Sequence, residues 1–441
     1  MRRSVMLLVS VGSAVLLACG AAWAAAGDLD PTFGGDGTVV STEPCFVCLA
    51  EHLEVLPGSG KILAAGEYGG PVVRYNPDGS LDDTFGGDGL ASTGPVALQA
   101  FAVQPDGGII VGGVIRNAQD PDPEFAVARL LPDGTLDPAF GGGDGVVAVG
   151  FGERTTEEVN ALAMQGANIV AVGRAYSRGT SGIALARFLP DGTLDPAFGE
   201  GDGKTIKGVG GWPDVRDLAV LPDNRLMVAG GASFYSGSDS ENDIFLTRFM
   251  PDGASDGRFG GGDGQVRTGY AKGTYEFATS LTVKGDRAVV AGATYAAAKD
   301  SPARFVLFAY ADDGKLAKSF GGGDGKLKTV FGVGDAVARD LVFTHGDGKL
   351  LVVGEQNKFL KGHRGINFAL ARYKTDGTLD KSFGGGDGKL TTDVSSGTED
   401  YAAAVDIDED GRAVVGGAAV AYNSTNGQYN NVFGLARYLL E

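Results

Sequence analysis

The sequence predicts an all-β fold, a seven-bladed β-propeller built from four-stranded blades. A glycine-rich loop motif recurs seven times at intervals of 52 to 63 residues. Short apolar runs separated by turn residues accompany each copy, and four such strands per repeat are typical of a propeller blade. After the N-terminal segment, no stretch shows the 3.6-residue periodicity of an amphipathic helix.

The loop motif reads LDPAFGGGDG at Leu136–Gly145, and a phenylalanine marks every copy. The phenylalanines are Phe33, Phe85, Phe140, Phe198, Phe259, Phe320 and Phe383. Ten residues before six of them an apolar run ends, as in ALARY at Ala369–Tyr373. The last such run, Gly434–Tyr438, has no loop after it, and the first loop, at Leu29, has no run before it. The two ends are therefore complementary halves of one unit.

The turns predict the order of the strands within a repeat. Two runs around a Pro-Asp-Gly turn, as in Phe101–Gly113, form a hairpin of strands A and B. The run before the glycine loop is strand C, and the run after it, as in Asp144–Gly150, is strand D. The run at Gly37–Thr42 is then a D strand without a blade. We expect it to complete the last blade, Tyr401–Tyr438, and to close the ring without a free sheet edge.

The N-terminal segment, residues 1–26, has the pattern of a secretory signal peptide. Two arginines precede an apolar run that is too short to span a bilayer, and small residues follow. Ala22-Trp23-Ala24 fits a cleavage site; the alternative is a lipoprotein box with a lipid anchor at Cys19. Residues 27–441 then form a single propeller domain without a transmembrane span, exported to the periplasm, the cell surface or the medium.

The formal net charge is −18 at pH 7. An acidic protein repels phosphate backbones, which argues against a nucleic acid partner. The chain has three histidines and no G-x-S-x-G or H-E-x-x-H motif, so it offers little material for the hydrolase and metalloprotease chemistry of those motifs. We expect a monomer with no catalytic residues and, calcium apart, no cofactor.

The stretch FALARYKTDGTLDKSFGGGDGKL at Phe368–Leu390, together with the DG(K/R)…VVGG hairpins, resembles the bacterial delta-60 repeat family. The resemblance extends over the chain after the leader. It implies an exported bacterial β-propeller and no particular activity.

The glycine loop itself is predicted to be structural. Asp137-Pro138 is a helix-starting pair, and the turn would bury Phe140. A calcium-binding glycine repeat needs copies about nine residues apart, and a phosphate loop needs a lysine and a following helix. Neither pattern is present.

In the copy around Phe320, Ala309 replaces the arginine of strand C, and Ala317 replaces the loop aspartate eight residues later. This joint loss predicts that the two residues form an ion pair in the other units; the alternative is a coincidence of two substitutions. The predicted pairs are Arg74–Asp82, Arg129–Asp137, Arg187–Asp195, Arg248–Asp256, Arg372–Asp380 and, across the ring closure, Arg437–Asp30.

Two short motifs invite a metal interpretation. DIDEDG at Asp406–Gly411 matches the start of a calcium loop, with Asp406, Asp408 and Asp410 as ligands, but its twelfth position is Gly417 rather than glutamate. Because it coincides with an A–B hairpin, an acidic turn is the alternative.

The second motif is CFVCLAEH at Cys45–His52. It lacks a fourth local ligand for zinc. A Cys45–Cys48 disulfide is the interpretation that suits an exported protein; a catalytic redox site is the alternative, without a thioredoxin-like βαβ pattern around it.

The B–C connections vary in length and content, whereas the C–D loops stay constant. By strand order the B–C connections share one face of the ring with the D–A loops. Their aromatic residues stand among small polar residues, a composition typical of adaptable binding surfaces. They are Tyr176, Phe234, Tyr235, Tyr295, Phe359, Tyr422 and Tyr429.

These loops predict a non-catalytic binding or scaffold protein with a protein or glycan ligand on the B–C loop face. The alternatives are that each tyrosine packs on its own loop, or that the protein is an extracytoplasmic lyase or hydrolase with its site at the central channel.

Overall fold

The computed structural model describes residues 25–41, 49–66, 69–116, 122–152, 155–177, 180–236, 239–271, 273–296, 302–360, 363–395, 399–423 and 428–441. Within these ranges, 28 strands form seven four-stranded antiparallel sheets. The sheets are the blades of a ring, and the predicted fold class is confirmed. No helix in the described part of the chain has the length and apolar character needed to cross a membrane.

The blades follow one another along the chain, with strand A innermost and strand D outermost. Blade 1 consists of β2 (His52–Val55), β3 (Ile62–Ala65), β4 (Val72–Tyr75) and β5 (Leu90–Ala91). Blade 2 consists of β6 (Ala97–Val103), β7 (Ile109–Ile115), β8 (Glu124–Leu130) and β9 (Val146–Val149). Blade 3 consists of β10 (Thr156–Gln165), β11 (Asn168–Ser177), β12 (Thr180–Phe188) and β13 (Lys204–Lys207).

Blades 4 to 6 repeat the same order. Blade 4 consists of β14 (Trp212–Val220), β15 (Leu226–Ser236), β16 (Asp239–Phe249) and β17 (Gln265–Thr268). Blade 5 consists of β18 (Thr274–Lys284), β19 (Arg287–Ala296), β20 (Arg304–Tyr310) and β21 (Lys326–Thr329). Blade 6 consists of β22 (Ala336–Phe343), β23 (Leu350–Leu360), β24 (His363–Tyr373) and β25 (Lys389–Thr392). Short 3₁₀ turns lie at Phe140–Gly142 and Gly384–Gly386.

Blade 7 combines both ends of the chain. Its strands are β26 (Tyr401–Ile407), β27 (Ala413–Asn423), β28 (Gln428–Tyr438) and β1 (Thr38–Val40). Strand β1 pairs antiparallel with β28, with Val39 opposite Leu435. The N-terminal strand therefore covers the outer edge of β28, which would otherwise present unpaired backbone groups.

The hydrophobic core lies between neighbouring blades rather than at the centre of the ring. Between blades 1 and 2, for example, Leu63 and Phe85 pack with Val111 and Leu130, and all four are at most 2% exposed. Each blade thus buries apolar side chains against its neighbours, which is why a single blade cannot form a core of its own.

The glycine loop is the joint between one blade and the next. Phe85 is fully buried and packs against the turn of blade 2, where a Cβ on Gly134 would come within 2.9 Å of the ring. Gly134 also has a φ of +89°, which favours glycine. The backbone N–H of Gly86 donates to the carbonyl of Asp133 in that same turn at 2.8 Å.

The start of the loop is held by its aspartate. Asp137 Oδ1 accepts a hydrogen bond from the backbone N–H of Ala139 at 2.9 Å, and Phe140 is 1% exposed. The Asp137 carboxylate thus closes a turn that places Phe140 in the core, but it does not cap a helix as predicted, because the short 3₁₀ turn begins only at Phe140 and has no side-chain cap.

Candidate functional site

The A strands of the seven blades surround a central cavity of about 220 Å³. In β6, β10, β14, β18, β22 and β26 the pairing with strand B shifts by one residue at a β-bulge, as between Val215 and Asp217. A bulge bends the strand and changes the direction of its side chains. The charged groups that line the cavity are Glu51, His52, Glu54, Arg216, Asp217, Arg339 and Asp340.

Aspartate side chains connect the A strands of neighbouring blades, which do not pair with one another through their backbones. Each carboxylate accepts the backbone N–H of the following residue and, with its second oxygen, a backbone N–H of another blade. The inter-blade contacts are Asp217 with Leu281 (2.6 Å), Asp340 with Val405 (2.8 Å) and Asp406 with Val55 (2.8 Å). These carboxylates supply acceptors for buried backbone donors.

Ser280 lies between two of these aspartates. Its hydroxyl oxygen is 3.0 Å from Asp217 Oδ2 and 2.7 Å from Asp340 Oδ1. The three residues occupy the same position of the A strand in blades 4, 5 and 6, so they form one continuous polar segment of the cavity wall.

Three of the carboxyl groups that line the cavity, Glu54, Asp217 and Asp340, have raised pKa values. Burial, with the nearby charge of Asp406 as a second cause, raises the pKa of Glu54 to about 7. Burial likewise raises the pKa of Asp217 to about 7 and that of Asp340 to about 6, against hydrogen bonds that favour the ionised forms. The cavity therefore contains carboxyl groups that exchange protons near neutral pH.

Two arginines stand at the bulges beside these acids. The Arg216 guanidinium contacts Asp214 Oδ2 at 2.8 Å, and Arg339 holds Glu355 with two contacts of 3.0 and 3.2 Å. Both arginine side chains are more than two-fifths exposed. They present positive charge to the cavity while their partners fix their orientation.

Exposed aromatic pairs lie on the face that carries the B–C connections. Tyr176 at the end of β11 is 4.8 Å from Trp212 at the start of β14, centroid to centroid, and the two are 38% and 47% exposed. Phe277, 40% exposed, meets Tyr295 edge to face at 5.6 Å. Burial raises the pKa of the Tyr295 phenol, and the charge of Arg339 opposes that shift.

The remaining predicted aromatic residues lie at the ends of B–C hairpins, and their side chains are outside the described part of the structure. They are Phe234, Tyr235, Phe359, Tyr422 and Tyr429. Cys45 and Cys48 also lie outside the described residues, so their disulfide stays a prediction.

The three aspartates of the calcium hypothesis point to different partners. Asp406 binds backbone N–H groups at the channel, whereas Asp408 and Asp410 both contact Arg412, at 2.7 and 2.6 Å. Among the described residues, no group of three or more His, Cys, Asp or Glu side chains could hold a metal ion. Arg412 thus bridges two acidic side chains of the A–B hairpin of blade 7, and calcium binding there stays a prediction.

The arginines of strand C contact the loop aspartates in every unit that has both. The six predicted pairs have N···O distances between 2.5 and 2.9 Å. In Arg187, for example, the guanidinium also lies 4.8 Å from the Phe198 ring centroid and donates to the carbonyl of Pro251 in the next blade. The pair is thus part of the joint between blades, far from the B–C face.

Sequence reasoning missed Trp212, Phe277 and the Asp217–Ser280–Asp340 segment. An alignment of the A strands would have placed Asp217, Ser280 and Asp340 at one position. Blades 2, 3 and 7 have Ala100, Ala161 and Ala404 at that position, so the three polar residues would have stood out. The aromatic residues were missed because the sequence reasoning considered only the B–C connections, and the starts of A strands reach the same face.

Comparisons with known proteins support a repeat propeller. Residues 58–85, 104–140, 168–198, 221–259 and 345–383 match a family model described as a domain of unknown function (DUF5122) beta-propeller. Each matched segment ends at a glycine-loop phenylalanine. These matches support an uncharacterised β-propeller repeat family, whereas the delta-60 name stays a prediction. No curated protein matches the chain.

Solved structures with similar architecture include three enzymes. An endo-arabinase from Bacteroides thetaiotaomicron is 11% identical, with 79% of this chain and 96% of that chain covered and a TM-score of 0.37. An α-L-arabinofuranosidase from Fusarium graminearum is 10% identical, with 79% and 97% covered and a TM-score of 0.40. A gluconolactonase from Xanthomonas campestris is 10% identical, with 94% and 97% covered and a TM-score of 0.36.

Proposed function

We propose that the protein is an exported, non-catalytic binding propeller that holds a glycan on the B–C loop face, at the mouth of the central channel. The observation that carries this proposal is the two aromatic contacts on this face, Tyr176–Trp212 and Phe277–Tyr295, in which Tyr176, Trp212 and Phe277 are exposed. Rigid aromatic side chains offer an apolar face with a polar edge, and a sugar ring has apolar C–H faces and polar hydroxyls. Loops on a rigid scaffold are where binding sites usually lie.

The proposed location rests on the N-terminal segment, which has the order of charge, apolar run and small residues found in secretory signals. The acidic net charge of −18 favours solubility and disfavours nucleic acid. A protein ligand on the same face is the other partner class that these loops favour.

A screen of neutral and acidic oligosaccharides, followed by calorimetric titration of the hits, tests the glycan proposal. We expect Trp212→Ala and Tyr176→Ala each to weaken binding by about tenfold or more, as for an aromatic anchor. Ile206→Ala is the matched control, because Ile206 is an equally exposed apolar residue (50%) on the outer strand β13. Equal loss in all three variants, or no oligosaccharide bound by the wild type, would contradict the proposal.

A second candidate function is acid–base catalysis in the channel, by a lyase or hydrolase. The observation that favours it is Glu54, which lines the cavity with a pKa raised to about 7 and thus suits a general acid. A turnover screen on the oligosaccharides that bind tests it. Activity lost in Glu54→Gln but kept in Trp212→Ala at saturating ligand would favour an enzyme over a binding protein.

A further inference from the structure

The contacts of Ser280 raise a question of proton count. A hydroxyl group has one hydrogen, yet Ser280 Oγ lies within hydrogen-bond distance of two carboxyl oxygens, Asp217 Oδ2 and Asp340 Oδ1. An ionised carboxylate only accepts hydrogen bonds. With both aspartates ionised, one of the two contacts would bring together oxygen lone pairs without a hydrogen between them. Both contacts are hydrogen bonds only if one carboxyl group carries a proton.

We propose that Asp217, Ser280 and Asp340 hold one shared carboxyl proton that joins blades 4, 5 and 6 around the central channel. In this state one carboxyl group donates to Ser280, and Ser280 donates to the other. When the proton leaves to water in the cavity, one of these two hydrogen bonds is lost. Asp217 and Asp340 are then both ionised, and their negative charges repel each other across the blades. This proton is independent of the proposed glycan site.

The backbone around the segment fixes the side chains that share the proton. Asp217 is held by the N–H groups of Leu218 and Leu281, and Asp340 by those of Leu341 and Val405, at 2.6 to 2.8 Å. Neither carboxyl group can turn away from Ser280 without leaving a backbone N–H unpaired. Ser280 itself is only 6% exposed, so water has little room to replace it.

Charged groups of both signs surround the segment. The A strands and the strands behind them bring Glu51, His52, Glu54, Asp214, Arg216, Arg339, Glu355 and Asp406 towards the cavity. Asp214 pairs with Arg216 and Glu355 with Arg339, while the nearby charge of Asp406 raises the pKa of Asp340. Repulsion between neighbouring carboxylates raises the pKa of one of them, which favours a state with one bound proton.

The raised pKa values of the two carboxyl groups agree with a proton held near neutral pH. Burial is the main cause for both, and the charge of Asp340 adds to the shift of Asp217. Because the two groups are coupled, the proton belongs to the pair rather than to either residue.

The test is a pH titration of the full-length protein with aspartate labelled at the side-chain carboxyl carbon, followed by NMR. Asp217→Asn and Asp340→Asn identify the two signals. The informative variant is Ser280→Ala, which the fold tolerates at this position because blades 2, 3 and 7 have Ala100, Ala161 and Ala404 there. Thr279→Val is the control, since it removes a neighbouring cavity hydroxyl whose hydrogen bond goes to the carbonyl of Ala291.

The direction of the shift decides the outcome. A serine that bridges a carboxyl and a carboxylate stabilises the singly protonated pair, so Ser280→Ala should lower the midpoint of proton loss by about one pH unit. A serine that merely donates to one carboxylate stabilises the ionised form, so its removal would raise the midpoint. A raised or unchanged midpoint in Ser280→Ala, or a shift of equal size in Thr279→Val, overturns the proposal.

Discussion

Arg287 Nη1 donates a hydrogen bond to the carbonyl oxygen of Thr375, in the turn of the next blade, at 2.5 Å. In blade 3 the equivalent contact is made by the strand C arginine, Arg187, to the carbonyl of Pro251. Blade 5 has Ala309 at that position, and Arg287 reaches the same joint from the start of strand B. A guanidinium is therefore kept at this joint although its usual residue is missing.

The neighbouring blades explain why this replacement is available. The residue at the start of strand B contacts the loop aspartate in blades 1, 3, 4, 6 and 7, whereas blade 2 has Gly108 at this position and no such side chain. The contacts are Lys61–Asp82, Asn168–Asp195, Arg225–Asp256, Lys349–Asp380 and Arg412–Asp30, at 2.6 to 3.4 Å. In blade 5 the aspartate is replaced by Ala317, so Arg287 instead contacts Thr375 and Ser319.

Arg287→Ala should therefore destabilise the joint between blades 5 and 6. Two hydrogen bonds of a charged group are lost, which we expect to lower the free energy of unfolding by about 1–3 kcal/mol. Urea unfolding at pH 7 measures the change. Lys315→Ala is the control, because Lys315 is 82% exposed and its ion pair is with Asp313 in the same turn; equal costs in the two variants would contradict the role of Arg287.

The joint loss in blade 5 predicts coupling between arginine and aspartate elsewhere. Arg187→Ala leaves Asp195, which is 5% exposed, without its cation, and breaking a buried pair in this way costs about 3–5 kcal/mol. The double variant Arg187→Ala/Asp195→Ala should cost less than the sum of the single variants by more than about 1 kcal/mol. Urea unfolding of the four proteins measures this, and additive costs would favour coincidence as the origin of the double loss.

The repeat made the blades and the joint predictable. Seven copies of one unit differ at enough positions to separate structural residues from variable ones. The joint replacement at Ala309 and Ala317 was enough to predict that the strand C arginine contacts the loop aspartate. Arg287 was not predictable in this way, since it comes from a different strand and has no fixed spacing from the alanines. Side-chain geometry at the joint was needed to identify it.

The cavity was less predictable for a physical reason. Strand alternation assigns side chains to one face or the other, but a β-bulge resets that alternation in the middle of the A strand. The positions of Asp217 and Asp340 relative to the channel therefore depend on where the bulge lies. The proton count at Ser280 depends on distances between three blades, which no pattern within one repeat contains.

The loop phenylalanine should be a large contributor to stability. Phe140 is 1% exposed and packs against the next blade, where the ring is within 2.9 Å of a Cβ placed on Gly192. We expect Phe140→Ala to cost about 3–5 kcal/mol, as for a buried aromatic residue that leaves a cavity. Thermal and urea unfolding measure the cost. Phe277→Ala, at 40% exposure, should cost much less, and similar losses would contradict the structural role of the loop.

The stability of the protein should depend on pH with opposite signs in two ranges. Burial alone would raise the pKa of Asp256, but hydrogen bonds from Arg258 and the charge of Arg248 lower it to about 2. The folded state then binds fewer protons than the unfolded state at low pH. Stability from this pair is present above pH 4 and is lost as the pH falls towards 2.

The cavity carboxyl groups give the pH dependence of stability the opposite sign, because their pKa values are raised by folding. The pKa of Glu54 is raised from 4.5 to about 7 in the folded state, so between these values the folded state holds more protons than the unfolded state. Stability should fall by about 1–3 kcal/mol as the pH rises from 4.5 to 7.

Urea unfolding across this range measures the fall, and Glu54→Gln should make it shallower, because a neutral amide has no proton to lose whereas Asp217 and Asp340, whose pKa values burial also raises, still do. Glu200→Gln, a change at an exposed glutamate of a glycine loop, should leave the slope as in the wild type. A wild-type slope that persists in Glu54→Gln would mean that Asp217 and Asp340 alone cause the dependence, because burial raises their pKa values in the same direction.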